Sequence, residues 1–171
     1  MAKNREHHVA YLSVGSNMGD RAENCRKGIR LLDEQEHTSV VKSSPFYQTE
    51  PVDYLDQDWF VNGIIQVKTT LSPAKLLETV KGIERQVGRK TGVVRFGPRI
   101  LDMDIILYDS RIVNQPDIEI PHPRMHKRCF VLKPLCDIDP DIVHPVLQQT
   151  MHALLEAIDH QGQEVIPFPC C

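Results

Sequence analysis

Asp102 and Asp104 stand two residues apart in the stretch Arg95-Phe-Gly-Pro-Arg99-Ile-Leu-Asp102-Met-Asp104-Ile-Ile-Leu107. In an extended strand, residues two apart project from the same face, here with backbones about 7 Å apart. Leu101, Met103, Ile105 and Leu107 then share the opposite, core-seeking face. Two neighbouring carboxylates repel and need a positive partner. Either Arg99 supplies it on a solvated strand face, or the pair holds Mg²⁺, a hard ion that takes oxygen ligands and shares them with substrate phosphates.

The surrounding cations favour the second reading. Arg89, Arg95 and Arg99 precede the carboxylates, and His122, Arg124, Lys127 and Arg128 follow them. Guanidinium groups take phosphate oxygens bidentately, and a metal ion bridges them, so this set suits a polyphosphate. The chain has neither a Gly-x-x-x-x-Gly-Lys-Ser/Thr run nor a kinase-type Gly-rich loop. A nucleotide would therefore be held by side chains and metal. A second set suits a flat ring: Phe60 and Phe130 could sandwich it, while Asn62 and backbone groups of residues 49–52 address its edges. From spacing alone the two Phe could equally be core and Asn62 a turn cap. Trp59 and Tyr54 are loop anchors or lid aromatics.

The elements that must hold these groups follow from pattern. Val9–Val14 alternates as a strand and breaks at Gly15-Ser-Asn-Met-Gly19. Asp20 and Glu23 resemble a capping box, and Ala22, Cys25, Ile29 and Leu32 mark a helix over about 20–35. Thr38–Thr49 is extended and ends at Glu50-Pro51. Residues 50–59 form an acidic, aromatic loop before a strand over Phe60–Leu71. Ser72-Pro73 starts a second helix, with Leu76, Leu77, Val80, Ile83 and Val87 as its stripe and Gly88 as its C-cap. A basic loop leads to the Asp-bearing strand. A small hairpin follows at about Arg111–Val113 and Ile118–Ile120, then a turn at Pro121–Met125. Phe130–Leu135 is a short helix or an irregular apolar segment, and Leu147, Met151, Leu154, Leu155 and Ile158 mark a C-terminal helix. The order predicts an α+β, ferredoxin-like βαββαβ core. Its helices would pack on one face of a mainly antiparallel sheet, with the small hairpin and the C-terminal helix added.

Composition bounds the answer. A chain of 171 residues, 41% hydrophobic and 25% charged, suits one soluble domain over 1–171, with 1–8 and 163–171 as loosely ordered tails. A net charge of −3 argues against a general nucleic-acid binder. No apolar run reaches the length of a membrane span, and Met1–His8 has no apolar region of signal-peptide type, so a cytoplasmic protein is expected; single-domain length without an obvious interface stripe favours a monomer. The 5 cysteines are scattered without a Cys-x-x-Cys pair and do not form a disulfide framework. Cys25 falls on a helix's apolar face, and Cys170 and Cys171 end the chain. His7 and His8 are metal ligands or a polar lead-in.

Taken in order, Tyr11-Leu-Ser-Val-Gly-Ser-Asn17, Tyr47-Gln-Thr-Glu-Pro51, Phe60-Val-Asn62, Ile83-Glu84 with Gly88-Arg89, Arg95–Ile105, and Ile120-Pro-His-Pro-Arg-Met125 with Arg128-Cys-Phe130 are similar to the 6-hydroxymethyl-7,8-dihydropterin pyrophosphokinase family. The resemblance covers roughly residues 9 to 145. It implies transfer of the β,γ-diphosphate of ATP to the pterin's hydroxymethyl oxygen, with AMP leaving, in folate biosynthesis. It implies two Mg²⁺ ions on Asp102 and Asp104, and ATP contacts from Glu84, Arg89, Arg95, Arg99, Ile105, His122 and Arg128. It assigns catalytic roles to Arg89, Arg99, Asp102 and Asp104. It places the pterin against Thr49, Glu50, Pro51, Val52, Phe60, Asn62, Phe96 and Phe130, with the product passing to dihydropteroate synthase. The chain departs from the pattern in three places: Phe60 stands where many members have Tyr, Phe96 where many have Trp, and Thr91 where some have Arg. Two rivals differ in class. A nucleotide-sensing module would need no paired carboxylates beside an arginine loop. An RNA-binding module would carry exposed aromatics in an Arg/Lys-Gly-Phe type run, which this acidic chain lacks.

Overall fold

The computed structural model describes residues 5–88 and 95–169; Arg89, Lys90, Thr91, Cys170 and Cys171 lie outside the described residues. Its centre is β1 (His8–Ser16), where Ala10, Leu12 and Val14 face one side and Val9, Tyr11, Ser13 and Gly15 the other. β1 pairs antiparallel with β4 (Phe60–Thr69) on one side and β5 (Asp102–Tyr108) on the other. His8 and the Val9 N–H both bond the Asp109 carboxylate, at 2.7 and 2.8 Å, so His8 anchors the start of β1.

The extended stretch 38–49 lies along β4 in two pieces, β2 (Thr38–Ser43) and β3 (Tyr47–Thr49). Pro45 has no N–H and breaks the ladder. Ser44 bridges the gap: its N–H donates to the Ile64 carbonyl at 2.8 Å, and its hydroxyl accepts the Ile64 N–H at 2.9 Å. Helix α1 (Arg21–Asp33) starts where Asp20 accepts the Glu23 N–H at 3.1 Å. Helix α2 (Pro73–Val87) is capped by Ser72 and stops at Gly88, whose φ of 125° suits a residue without Cβ. Both helices bury their stripes against Leu12, Val14, Val61, Ile65, Leu101 and Met103.

Three expectations are corrected here. First, the helices cover both faces of the sheet. Cys129–Ile138 is a full helix, α3, despite Pro134 within it. With α4 (Met151–Ala157) it packs on Tyr11, Ile64, Ile106 and Leu107, opposite α1 and α2. The second apolar face of β1 and β4 requires that cover. Leu147 precedes α4 and is 38% exposed, because Thr150 caps the helix start by accepting the Ala153 N–H at 3.1 Å.

Second, Leu107 does not share a face with Leu101, Met103 and Ile105. The register passes from Leu12 opposite Ile105 to Tyr11 opposite Leu107, so Ile106 is an extra residue on β5. This β-bulge sends Ile106 and Leu107 together into the α3/α4 core and returns Tyr108 to the other. Third, 163–171 is not wholly a loose tail. β6 (Val113–Gln115) and β7 (Ile118–Ile120) form the expected hairpin, but β8 (Val165–Pro167) then joins the large sheet beside β3. The Phe168 N–H donates to the Phe46 carbonyl at 2.9 Å, and its ring packs on the core. Pro167 is tolerated because β8 is an edge strand. The 6-stranded antiparallel sheet runs β5-β1-β4-β3-β8, with β2 also on β4. Among the described residues no helix is long and apolar enough to cross a membrane.

Candidate active site

The register of three strands puts chemistry in one row. Gly15 on β1 is opposite Asp102 on β5 and opposite Asn62 on β4. All three face a cleft of about 330 Å³. Ser13 is likewise opposite Asp104, one row deeper. With Gly between them, nothing but hydrogen stands between the carboxylate end of the row and the Asn62 end. The space is needed, because a Cβ on Gly15 would collide with Asn62 Oδ1. Asn62 is 7% exposed and donates to Thr49 Oγ1 at 2.6 Å, which fixes its amide across the β3–β4 pair.

Asp102 and Asp104 are half-buried on the cleft side of β5, as their spacing predicts. A positive partner for Asp104 comes from α2. Lys81 Nζ lies 4.0 Å from Asp104 Oδ1 and 3.2 Å from Glu84 Oε1. Glu84 is 0% exposed, and its carboxylate also accepts the Met103 N–H of β5 at 2.8 Å. β5 is the outer strand on this side, so Glu84 satisfies a strand-edge N–H and ties the Asp-bearing strand to α2. Glu84, expected among the nucleotide contacts, does not line the cleft: its carboxylate is buried between α2 and the edge of β5. Lys81 was missed, although Lys81 and Glu84 stand three residues apart on a helix, where side chains meet.

The basic loop closes one wall. Asn17 takes the backbone of Arg99 at both ends: its side-chain oxygen accepts the Arg99 N–H at 2.8 Å, and its N–H donates to the Arg99 carbonyl at 3.1 Å. The Asn17 amide donates to Gln57 Oε1, and Gln57 donates to the Phe96 carbonyl at 2.8 Å. Phe96 has a φ of 59°, rare for an aromatic residue. The guanidinium groups of Arg95 and Arg124 lie 4.9 and 4.6 Å from the centre of its ring, at cation–π distance. Arg95, Phe96 and Arg99 all line the cleft.

The far wall is His122, Arg124, Arg128 and Phe130. The His122 N–H donates to the Ile106 carbonyl at 2.9 Å, so the bulge on β5 also positions this turn. His122 Nδ1 accepts the Arg124 N–H at 3.2 Å, which leaves Nε2 as the protonated nitrogen of the neutral ring. Burial, then the charges of Arg128 and Arg124, push the His122 pKa down to about 4. Burial and Arg124 also push Arg128 down from its usual value. Arg128 and Arg124 both approach Asp53 Oδ2, at 3.3 and 3.7 Å.

Of the expected ring-binding residues, Thr49, Glu50, Val52, Phe60, Asn62, Phe96 and Phe130 line the cleft. Pro51 is buried and does not. Ile105 is 5% exposed and packs in the α1/α2 core, so its side chain is on the wrong face for a ligand. Arg89 lies outside the described residues. Asn17, Gln57, Asp53 and Lys81 complete the cleft or hold it, and none stood among the expected site residues.

A family model described as 7,8-dihydro-6-hydroxymethylpterin-pyrophosphokinase (HPPK) matches residues 11–140. The 2-amino-4-hydroxy-6-hydroxymethyldihydropteridine pyrophosphokinase of Bacillus subtilis is 43% identical over 130 residues, covering 76% of this chain and 77% of that protein. The enzyme of the same name from Haemophilus influenzae is 36% identical, covering 93% and 99%. The folic acid synthesis protein fol1 of Schizosaccharomyces pombe is 39% identical over 90% of this chain, which spans only 21% of that protein's length. A crystal structure of Plasmodium falciparum HPPK-DHPS superimposes with a TM-score of 0.71 at 16% identity, over 91% of this chain and 46% of that one, a likeness of fold. With its carboxylate row and arginine-lined cleft inside the matched region, the chain belongs to the 7,8-dihydro-6-hydroxymethylpterin-pyrophosphokinase family.

Proposed function

We propose that this chain transfers the β,γ-diphosphate of ATP to 6-hydroxymethyl-7,8-dihydropterin. A bond forms between the hydroxymethyl oxygen and the β-phosphorus. The bond from the β-phosphorus to the oxygen bridging it to the α-phosphorus breaks, AMP keeps that oxygen, and the hydroxyl proton passes to solvent. The observation that carries this reading is the row Asp102–Gly15–Asn62, which sets a carboxylate and a ring-edge donor on one face of one cleft. Phe60 and Phe130 line the same cleft and offer flat surfaces to the pterin. Arg95, Arg99 and Arg128 supply guanidinium groups for the phosphates, and neutral His122 supplies a donor.

Asp102 and Asp104 would hold Mg²⁺, two ions in the proposed complex. Among the described residues no group of three or more His, Cys, Asp or Glu converges on a metal site. The Asp102/Asp104 pair suits Mg²⁺, which takes one or two carboxylates and fills its shell with water and substrate phosphate oxygens. When bound, it supplies charge neutralisation on the phosphate oxygens. The chain's own part is to hold both substrates in line and to aim donors at the developing charge. The β5-β1-β4 order with β2 and β3 outside supports a ferredoxin-like core within one domain. A cytoplasmic monomer that passes its product to dihydropteroate synthase belongs to the same proposal.

The test is incubation with ATP, Mg²⁺ and the hydroxymethyl-dihydropterin. AMP and a pterin diphosphate should form together, and Asp102→Ala should abolish both while the protein still melts cooperatively. ADP in place of AMP, or full turnover by Asp102→Ala, would sink the assignment.

A further inference from the structure

Asp53 sits in the loop between β3 and β4 with a φ of 66°, a conformation that L side chains rarely adopt. Its Oδ2 receives two guanidinium groups at once, Arg128 at 3.3 Å and Arg124 at 3.7 Å. The Arg128 side chain is 13% exposed, while that of Asp53 is 40% exposed. A surface anion thus reaches in to a largely buried cation. Arg124 and Arg128 line the cleft, as does Asp53 itself. The loop is fastened at its two ends. Glu50 exchanges bonds with Glu164, its N–H to the Glu164 carbonyl at 3.0 Å and its carboxylate from the Glu164 N–H at 3.1 Å. Gln57 ties the other end to Asn17 and Phe96. Between these anchors the tip is open, with Leu55 73% exposed.

From this geometry we propose that Asp53 is a built-in competitor for nucleotide phosphates: its carboxylate occupies the Arg124–Arg128 pair, and a polyphosphate must displace it to bind. The proposal rests on the pyrophosphokinase reading of the cleft. Two guanidinium groups on one carboxylate oxygen are the arrangement that also receives a phosphate oxygen. A polyphosphate brings more charge and more oxygens than one carboxylate, so it wins the exchange. A singly phosphorylated nucleotide wins it less readily. Asp53 therefore lowers affinity for every anion that must displace it from this wall, and the loss is overcome by the ligand with the most charge and the most oxygens. Once displaced, Asp53 is repelled by the phosphates, and the strained tip around it is released while both anchors hold.

The test is calorimetric titration of the full chain with Mg-ATP and, separately, with inorganic triphosphate and AMP. Asp53→Asn keeps the size and tolerates the positive φ but removes the charge. It should tighten Mg-ATP and triphosphate by about two- to fivefold, the range of a partly exposed ion pair, and AMP by the same factor where its phosphate takes the same arginines. Asp53→Gly, which suits the backbone angle outright, should do the same and covers the case in which the Asn variant fails to fold. Asp56→Asn makes the same change of net charge on the same loop and should leave all three affinities unchanged. Equal tightening by Asp56→Asn, or no tightening by both Asp53 variants, overturns the competitor role while leaving the enzyme reading intact. Wild-type protein that binds neither Mg-ATP nor triphosphate overturns the enzyme reading and the competitor role together.

Discussion

Asn17 grips the backbone of Arg99 from both sides, its side-chain oxygen on the Arg99 N–H at 2.8 Å and its own N–H on the Arg99 carbonyl at 3.1 Å. Asn17 is 3% exposed, and its amide also donates to Gln57 Oε1 and the Asp58 carbonyl, each at 3.0 Å. One buried amide therefore joins the end of β1, the loop before β4 and the arginine loop. Asn17→Ala leaves several of these groups unpaired, at about 1–3 kcal/mol. Because Arg99 loses its backbone register, turnover should fall further than nucleotide affinity. Denaturant unfolding and steady-state kinetics on the same preparation check both; a stability loss without any kinetic loss would confine Asn17 to the fold.

Arg99 itself separates binding from chemistry. If its guanidinium meets charge that develops only as the diphosphate moves, Arg99→Ala lowers kcat far more than it raises the dissociation constant of Mg-ATP. Comparable losses in both would make Arg99 an ordinary phosphate clamp.

Local signals in the sequence led to most of this fold. The Asp20 and Ser72 caps, the Pro73 start and the Gly88 stop are short-range chemistry, and all stand where expected. The Asp102/Asp104 face was legible because strand alternation survives up to Ile105. It fails at Ile106, since a bulge depends on what β1 offers opposite and not on β5's own residues. β8 was illegible for a related reason: Val165-Ile-Pro167 is a strand only because β3 leaves an edge to fill. In the cleft, the residues that line it with charge or an aromatic ring were visible as types. Lys81, Asn17, Gln57 and Asp53 were not, because each acts through a long-range partner.

Gly15 gives a cleaner test of the row across the sheet. A Cβ there would collide with Asn62 Oδ1, and Asn62 cannot simply swing away while it donates to Thr49 Oγ1 at 2.6 Å. Gly15→Ala should raise KM for the pterin at least tenfold if one good polar contact is lost. Mg-ATP affinity should change much less. Titration with each substrate separately checks the split; equal loss of both would mean that β1 itself had shifted.

Glu84 links stability to the strand that carries Asp102 and Asp104. Its carboxylate accepts the Met103 N–H at 2.8 Å and pairs with Lys81 at 3.2 Å. Glu84→Ala leaves a strand-edge N–H unmet in the interior and should cost about 1–3 kcal/mol. Glu84→Gln keeps an acceptor for Met103 and should cost less. If Glu84 instead contacts nucleotide directly, Glu84→Gln loses ATP affinity with its stability unchanged, which calorimetry and thermal melts on one variant would reveal.

His122 makes the last prediction, and its sign is fixed by the direction of the shift. Burial and the two arginines lower its pKa from 6.5 to about 4. Between those values the unfolded chain binds a proton that the folded chain refuses. Unfolding then takes up a proton, so the native state loses stability as pH falls from about 6.5 towards 4 and loses no more on this account below that. Above 6.5 both states carry neutral imidazole and the term vanishes. His144 is lowered in the same direction by burial and His126, so it adds to the slope in every variant. His122→Asn keeps an acceptor for the Arg124 N–H, now received by Nδ1 at 3.2 Å, and cannot titrate. Its stability should fall less steeply than that of the parent protein between pH 6.5 and 4, in denaturant unfolding of the ligand-free protein at four or five pH values. In the parent protein the His122 ring should show no titration by NMR between pH 8 and pH 5. A midpoint near 6.5, with parallel stability curves for the two proteins, would mean that His122 is open to water and that the arginine wall does not hold it neutral.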